Sequence, residues 1–241
     1  MIWEKIKYHL DPKNRHDIKL QKELKAELHR KGYIFSSMEL FNCFTFGTKD
    51  KGVVPIIIKY IEQFESDGCK MQYTSALGVK GFDNATEYLI AKYNDYLHPY
   101  NQMNLNVVAQ TLARICDLRF LNEYLEILSK DVTIDACYLV QMLGKLKVEE
   151  AVHCLISLLD CIAIIPEKWN GTLLEDQKYY VSQCAIEAIG KFKNKEYNRY
   201  IEKFLTPQNL SWIRYTESPE QKQLLKTTYK EYISLAQKAI C

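Results

Sequence analysis

The chain has 241 residues, 47% of them hydrophobic, with only 9 glycines and 6 prolines and a formal charge of +2 from 32 basic and 30 acidic side chains. That much apolar content excludes a disordered chain, and so few turn-formers argue against many short strands and for long helices. The near-neutral balance removes any global field toward nucleic acid or an anionic membrane.

Met1 to Lys7 mixes acid and base at once and lacks the apolar centre of a signal peptide. Cys154 to Pro166, the longest apolar stretch, contains Asp160 and falls short of the roughly 20 residues that span a bilayer. A cytoplasmic chain is expected, with most of its eight cysteines reduced and in the core.

From the N-terminus, Ile18 to Leu28 places Leu20, Leu24 and Leu28 on one helical face with Lys19, Lys22, Glu23, Lys25 and Glu27 around it. It reads as a capping helix within residues 1–35. From 36 to 206 an apolar-Gly step recurs: Phe46-Gly47, Leu77-Gly78, Leu143-Gly144 and Ile189-Gly190, with Leu112-Ala113 in the remaining slot. The slots at 47, 78, 113, 144 and 190 are separated by 31, 35, 31 and 46 residues, a helical repeat with one insertion in its last interval.

Equivalent positions keep their character. One residue before the slot stand Phe46, Leu77, Leu112, Leu143 and Ile189; eleven after it stand Ile58, Leu89, Tyr124, Leu155 and Ile201. Fifteen after it come Glu62, Tyr93, Leu128, Leu159 and Leu205, apolar in all but the first pair. Apolar residues three and four apart fill the stretch before each of the last three slots as well, so each repeat is helix A, a turn and helix B. The glycine is expected to end helix A in a left-handed residue and to let helices approach closely.

Two segments interrupt the pattern: an inserted loop at 162–177, with Trp169, and a loop after Thr206, with Trp212, Arg214 and Tyr215. Long loops in helical arrays are often functional, which makes these four residues candidates. Leu224, Leu225, Tyr229, Tyr232 and Ile233 then mark a C-terminal capping helix within 207–241.

Met142-Leu143-Gly144-Lys145-Leu146 with Glu150-Ala151-Val152, and Ala188-Ile189-Gly190-Lys191-Phe192 with Glu196-Tyr197-Asn198, resemble the A-to-B turn of bacterial HEAT-like repeats, most strongly over 132–206. The family's common turn Asp is missing from most pairs, and Ala113 replaces a glycine. The resemblance implies a single all-α domain: a right-handed α-solenoid, or superhelix, of about five antiparallel helix pairs, B helices lining its concave side and capping helices closing both ends.

No pattern points to catalysis. There is no Cys-x-x-Cys, the five histidines are scattered, and Gly78-Val79-Lys80-Gly81 reads as a repeat turn rather than a phosphate loop, so neither metal nor cofactor is expected. His153 and Cys154 are adjacent, hence about 100° apart on a helix, and do not form a dyad. Glu149-Glu150 opens a B helix, where the dipole favours acids.

What remains is the face of the B helices. Nine residues after the slot stand Ile56, Glu87, Asn122, His153 and Arg199; thirteen after it stand Tyr60, Ala91, Glu126, Ser157 and Lys203. The expected binding ridge is Tyr60, Glu87, Asn122, Glu126, His153, Ser157, Arg199 and Lys203, acidic at one end and basic at the other. The function it suggests is a noncatalytic scaffold or adaptor for a protein partner, including an immunity or inhibitor type of binder. Two alternatives come from the family resemblance. One is a DNA-binding or DNA-glycosylase HEAT-like protein using Trp169, Trp212 and Arg214, against which the charge counts. The other is a protein similar to the HEAT-like bilin lyases, an analogy of fold alone.

Overall fold

A computed structural model describes residues 12–33, 50–98, 100–130, 132–163, 179–210 and 219–241. Among these residues all regular structure is helical, with no strand. The chain divides into two compact units, Met1–Phe120 and Leu121–Cys241.

The first unit contains α1 (Pro12–Arg30), α2 (Val53–Ile61), α3 (Asp67–Ala76), α4 (Thr86–Leu97) and α5 (Gln102–Ile115). Its starts are written locally: the Ser66 hydroxyl accepts from the Cys69 amide at 3.3 Å, and the Asn101 side chain from the Asn104 amide at 3.3 Å. Leu20, Leu24 and Leu28 of α1 are buried, as their spacing predicts, and α1 packs on α2. A carboxylate adds to that seam. Asp17, only 2% exposed, accepts from the Glu65 and Ser66 amides, each at 2.9 Å, and from the Ser66 hydroxyl, satisfying donors at the start of α3.

The second unit contains α6 (Leu121–Ser129), α7 (Cys137–Leu146), α8 (Val152–Ser157), α9 (Tyr180–Gly190), α10 (Lys195–Glu202) and α11 (Pro219–Ile240). Helix α9 is its centre, packed against α7, α8, α10 and α11. Phe204 stacks on Tyr232 of α11 with ring centroids 5.6 Å apart, and the Tyr232 hydroxyl donates to the Tyr179 carbonyl at 3.2 Å. Helix α11 turns Thr228, Tyr232 and Ala236 inward, while Leu225, Tyr229 and Ile233 are half-buried. Its inward face is therefore offset from the stripe expected of the C-terminal cap.

The described helices follow the expected A and B stretches: α3, α5, α7 and α9 before the slots, and α2, α4, α6, α8 and α10 after them. Leu77, Leu112, Leu143 and Ile189 are buried, as are Leu89, Tyr124, Leu155 and Ile201, while Ile58 of the same column is half-buried and Phe46 lies outside the described residues. The glycines do a different job from the one expected for the turn. None of Gly78, Gly144 and Gly190 has a positive φ; the left-handed residue lies three positions later, at Gly81, Cys116, Lys147 and Lys193. It therefore recurs at the same step as the slot, even where a side chain makes the left-handed conformation costly.

Two of the slot glycines, Gly144 and Gly190, instead permit close packing of α9 on α7 and of α11 on α9. A Cβ on Gly144 would sit 2.4 Å from the Ala188 Cα in α9, and one on Gly190 would sit 2.6 Å from the Ala239 Cβ in α11. Any side chain there would force the backbones apart.

One apolar position is also corrected. Leu205 is 36% exposed, whereas Phe204 is fully buried. Residues Lys203–Leu205 form a 3-10 turn after α10, and its tighter winding moves the inward position back by one residue.

Candidate functional site

In the second unit, α6, α8 and α10 carry five of the ridge residues, and the 3-10 turn after α10 carries the sixth, Lys203. Asn122, Glu126, His153, Ser157 and Arg199 are exposed and Lys203 is half-buried. Helix α6 packs on α8. Two polar ties hold the α10 segment beside the ends of α8: the Tyr197 hydroxyl donates to Glu149 at 2.8 Å, and Lys203 pairs with Asp160. The carboxylate bond to Tyr197 raises its phenol pKa above the ordinary value.

The charges are not equally available. Glu126 is paired with Lys130 one turn on, and Lys203 with Asp160. The Arg199 guanidinium lies 4.7 Å from the Tyr200 ring centroid and donates to its hydroxyl at 2.7 Å, so it is held by a neutral aromatic and keeps its charge for a ligand. His153 is exposed, and the Ser157 hydroxyl donates to the Cys154 carbonyl at 2.7 Å.

In the first unit Glu87 is exposed, but Tyr60 is 5% exposed and belongs to the packing between α1 and α2. Its hydroxyl donates to Glu27 at 3.0 Å, and Lys59 donates to the same oxygen at 2.7 Å. Burial first, and then the Glu27 carboxylate, push the Tyr60 phenol up to about 12. The expectation of an open ridge position fails at Tyr60 because the capping helix covers it. Trp169, Trp212, Arg214 and Tyr215 lie outside the described residues.

Several polar links were not anticipated from sequence. Glu62 breaks the apolar column because it is a partner for α4: the Tyr88 hydroxyl donates to it at 2.6 Å and Lys92 lies 3.1 Å away. The turns of the first unit are joined by a charge ladder in which Asp83 pairs with both Lys51 and Arg119, and Arg119 pairs with Asp117 at 2.8 Å. The hydrogen bond from Lys51 holds the Asp83 carboxyl below its usual range, and that from Arg119 does the same for Asp117. The signal was an Asp four or five residues after the slot, at 117 and 83.

A groove of about 420 Å³ lies between α9 and α11, lined by Tyr180, Cys184, Glu187, Lys230, Glu231 and Lys238, among others. Among the described residues no three His, Cys, Asp or Glu side chains converge as a metal site, and no helix is long and apolar enough to cross a membrane. No protein-family model matches the chain, and comparison with curated proteins finds no similar sequence.

Proposed function

We propose that this chain is a HEAT-like helical-repeat protein, with its helix pairs arranged as a right-handed solenoid, that works as a noncatalytic scaffold for a protein partner. The surface carrying the reading is the row formed by α6, α8 and α10 in the second unit. Its supporting observation is that five of the six ridge residues there are exposed while the apolar positions of the same helices, Tyr124, Leu128, Val152, Leu155 and Ile201, are buried.

A row that spends its apolar side on packing and leaves Asn, His, Ser and Arg outward offers hydrogen-bonding groups on a rigid support. Among the described residues no carboxylate pairs with Arg199, which gives this row a cation suited to an acidic patch on the partner.

Affinity capture from the native host with the full chain and with the Arg199→Glu/Lys203→Glu variant tests the reading. A partner retained by the parent and reduced at least tenfold by charge reversal, with an unchanged circular-dichroism spectrum, supports it. Equal retention by both proteins overturns the assignment of the row.

A further inference from the structure

Helices α9 and α11 come close where both end: a Cβ on Gly190 would lie 2.6 Å from the Ala239 Cβ and 2.8 Å from its Cα. A hollow of about 250 Å³ opens there, lined by Glu187, Gly190, Lys191, Lys193, Lys238 and Ala239, among others. Two small residues leave room that longer side chains would fill. Lys193 is left-handed, with φ 55°, and turns the chain back after α9, so that Lys191 and Lys193 both line the hollow.

Their ammonium groups are not spent on closing the helix. The Lys191 amide donates to the Glu187 and Ala188 carbonyls at 3.2 and 3.1 Å, the Phe192 amide to Ile189 at 3.1 Å, and the Lys193 amide to Gly190 at 3.3 Å, so backbone donors close α9. Lys191, Lys193 and Lys238 are exposed, and among the described residues no carboxylate pairs with any of them. Three ammonium groups against the Glu187 carboxylate leave two positive charges in the lining. The C-terminal ends of α9 and α11 each contribute roughly half a negative charge, so about one net positive charge remains. The larger groove between the two helices shares Glu187, Leu235 and Lys238 with this hollow, and its further charges, Lys230 and Glu231, cancel in number. The positive excess therefore sits at the end held by Lys191 and Lys193.

We propose that this hollow is a phosphate-binding site, taking free phosphate or the phosphate of a monoester whose organic part extends along the groove between α9 and α11. A lysine ammonium is a compact point charge with three donors, which suits the tetrahedral spread of phosphate oxygens. A planar carboxylate is matched instead by the fork of an arginine, and among the described residues no arginine lines the hollow or the groove. Three ammonium groups serve the three non-bridging oxygens of a monoester. Beyond Lys238 the groove offers the hydroxyls of Thr227 and Ser234 to a hydroxyl-bearing organic part.

The test titrates the isotope-labelled full chain, in a phosphate-free buffer at constant ionic strength, with inorganic phosphate and with glycerol phosphate, following amide shifts by NMR. Expected are saturable shifts at Gly190, Lys191, Lys193 and Ala239, half-complete at or below about 1 mM. Lys191→Gln/Lys238→Gln should weaken binding about tenfold with an unchanged circular-dichroism spectrum. Lys222→Gln/Lys226→Gln, at exposed lysines of α11 outside the hollow, should leave it unchanged. Glu187→Gln removes the opposing carboxylate and should tighten binding about threefold. Tighter binding of glycerol phosphate, with shifts that extend to Ser234, identifies an ester that uses the groove; equal or weaker binding identifies free phosphate. Shifts that do not saturate, or that persist in the Lys191→Gln/Lys238→Gln protein, overturn the proposal. So does a hexaglutamate peptide that moves the same amides at a lower concentration than either phosphate, which marks the hollow as a seat for an acidic segment.

Discussion

Replacing Gly144 with Ala puts a methyl group where α7 meets α9. The added Cβ would lie 2.4 Å from the Ala188 Cα, 2.5 Å from its Cβ and 2.9 Å from its carbonyl oxygen, and two of those atoms are backbone. Relief requires the helices to separate by about 1 Å, an overpacking cost of about 2–3 kcal/mol at the upper end of the usual range. Alanine returns about 1 kcal/mol through its better helix propensity. The net loss is about 1–2 kcal/mol, or roughly 5 °C in melting temperature for a chain of this size.

Thermal and urea unfolding followed by circular dichroism measure it directly. Adding Ala188→Gly to the variant removes the clash with the Cβ but leaves those with the Cα and the carbonyl, so a double-mutant cycle should recover only about 0.5–1 kcal/mol. A Gly144→Ala protein as stable as its parent, or more stable by the propensity gain, would refute close stacking as the reason for the glycine.

Two further predictions concern stability. Phe204→Ala should cost about 3–5 kcal/mol in urea unfolding, whereas Leu205→Ala should stay within about 0.5 kcal/mol, because the 3-10 turn puts Phe204 inside; equal losses would reject that phase. Asp17→Asn should cost about 2 kcal/mol at neutral pH by weakening the bonds to the Glu65 and Ser66 amides. For Asp17 burial acts to raise the carboxyl pKa, but the bonds from Ser66 and Glu65 outweigh it and leave the folded value below the ordinary 3.8. Its stabilisation is therefore complete above the unfolded value and fades as pH falls through the folded one. The gap between parent and variant should close in acid; a gap that persists below the folded value would refute the ionic role.

Which residues turn inward was written in the sequence for most of the regular helices, though α11 and Ile58 of α2 depart from it. Leu24, Leu89, Leu112, Leu143, Leu155 and Ile201 were all assigned by spacing and are all buried, because transfer from water is a property each side chain carries with it. Periodicity misleads where winding or covering changes: at Leu205, displaced by a tighter turn, and at Tyr60, hidden by α1.

For the candidate site, the sequence determined which residues share the outer row of α6, α8 and α10. Only the tertiary structure decided that Lys203 is engaged by Asp160 while Arg199 rests on Tyr200, and that Gly144 serves stacking while Lys147 takes the left-handed turn. Helical period describes one helix at a time. Contacts between residues far apart in sequence depend on the offset at which two helices stack, and that offset is set by the packing of whole faces.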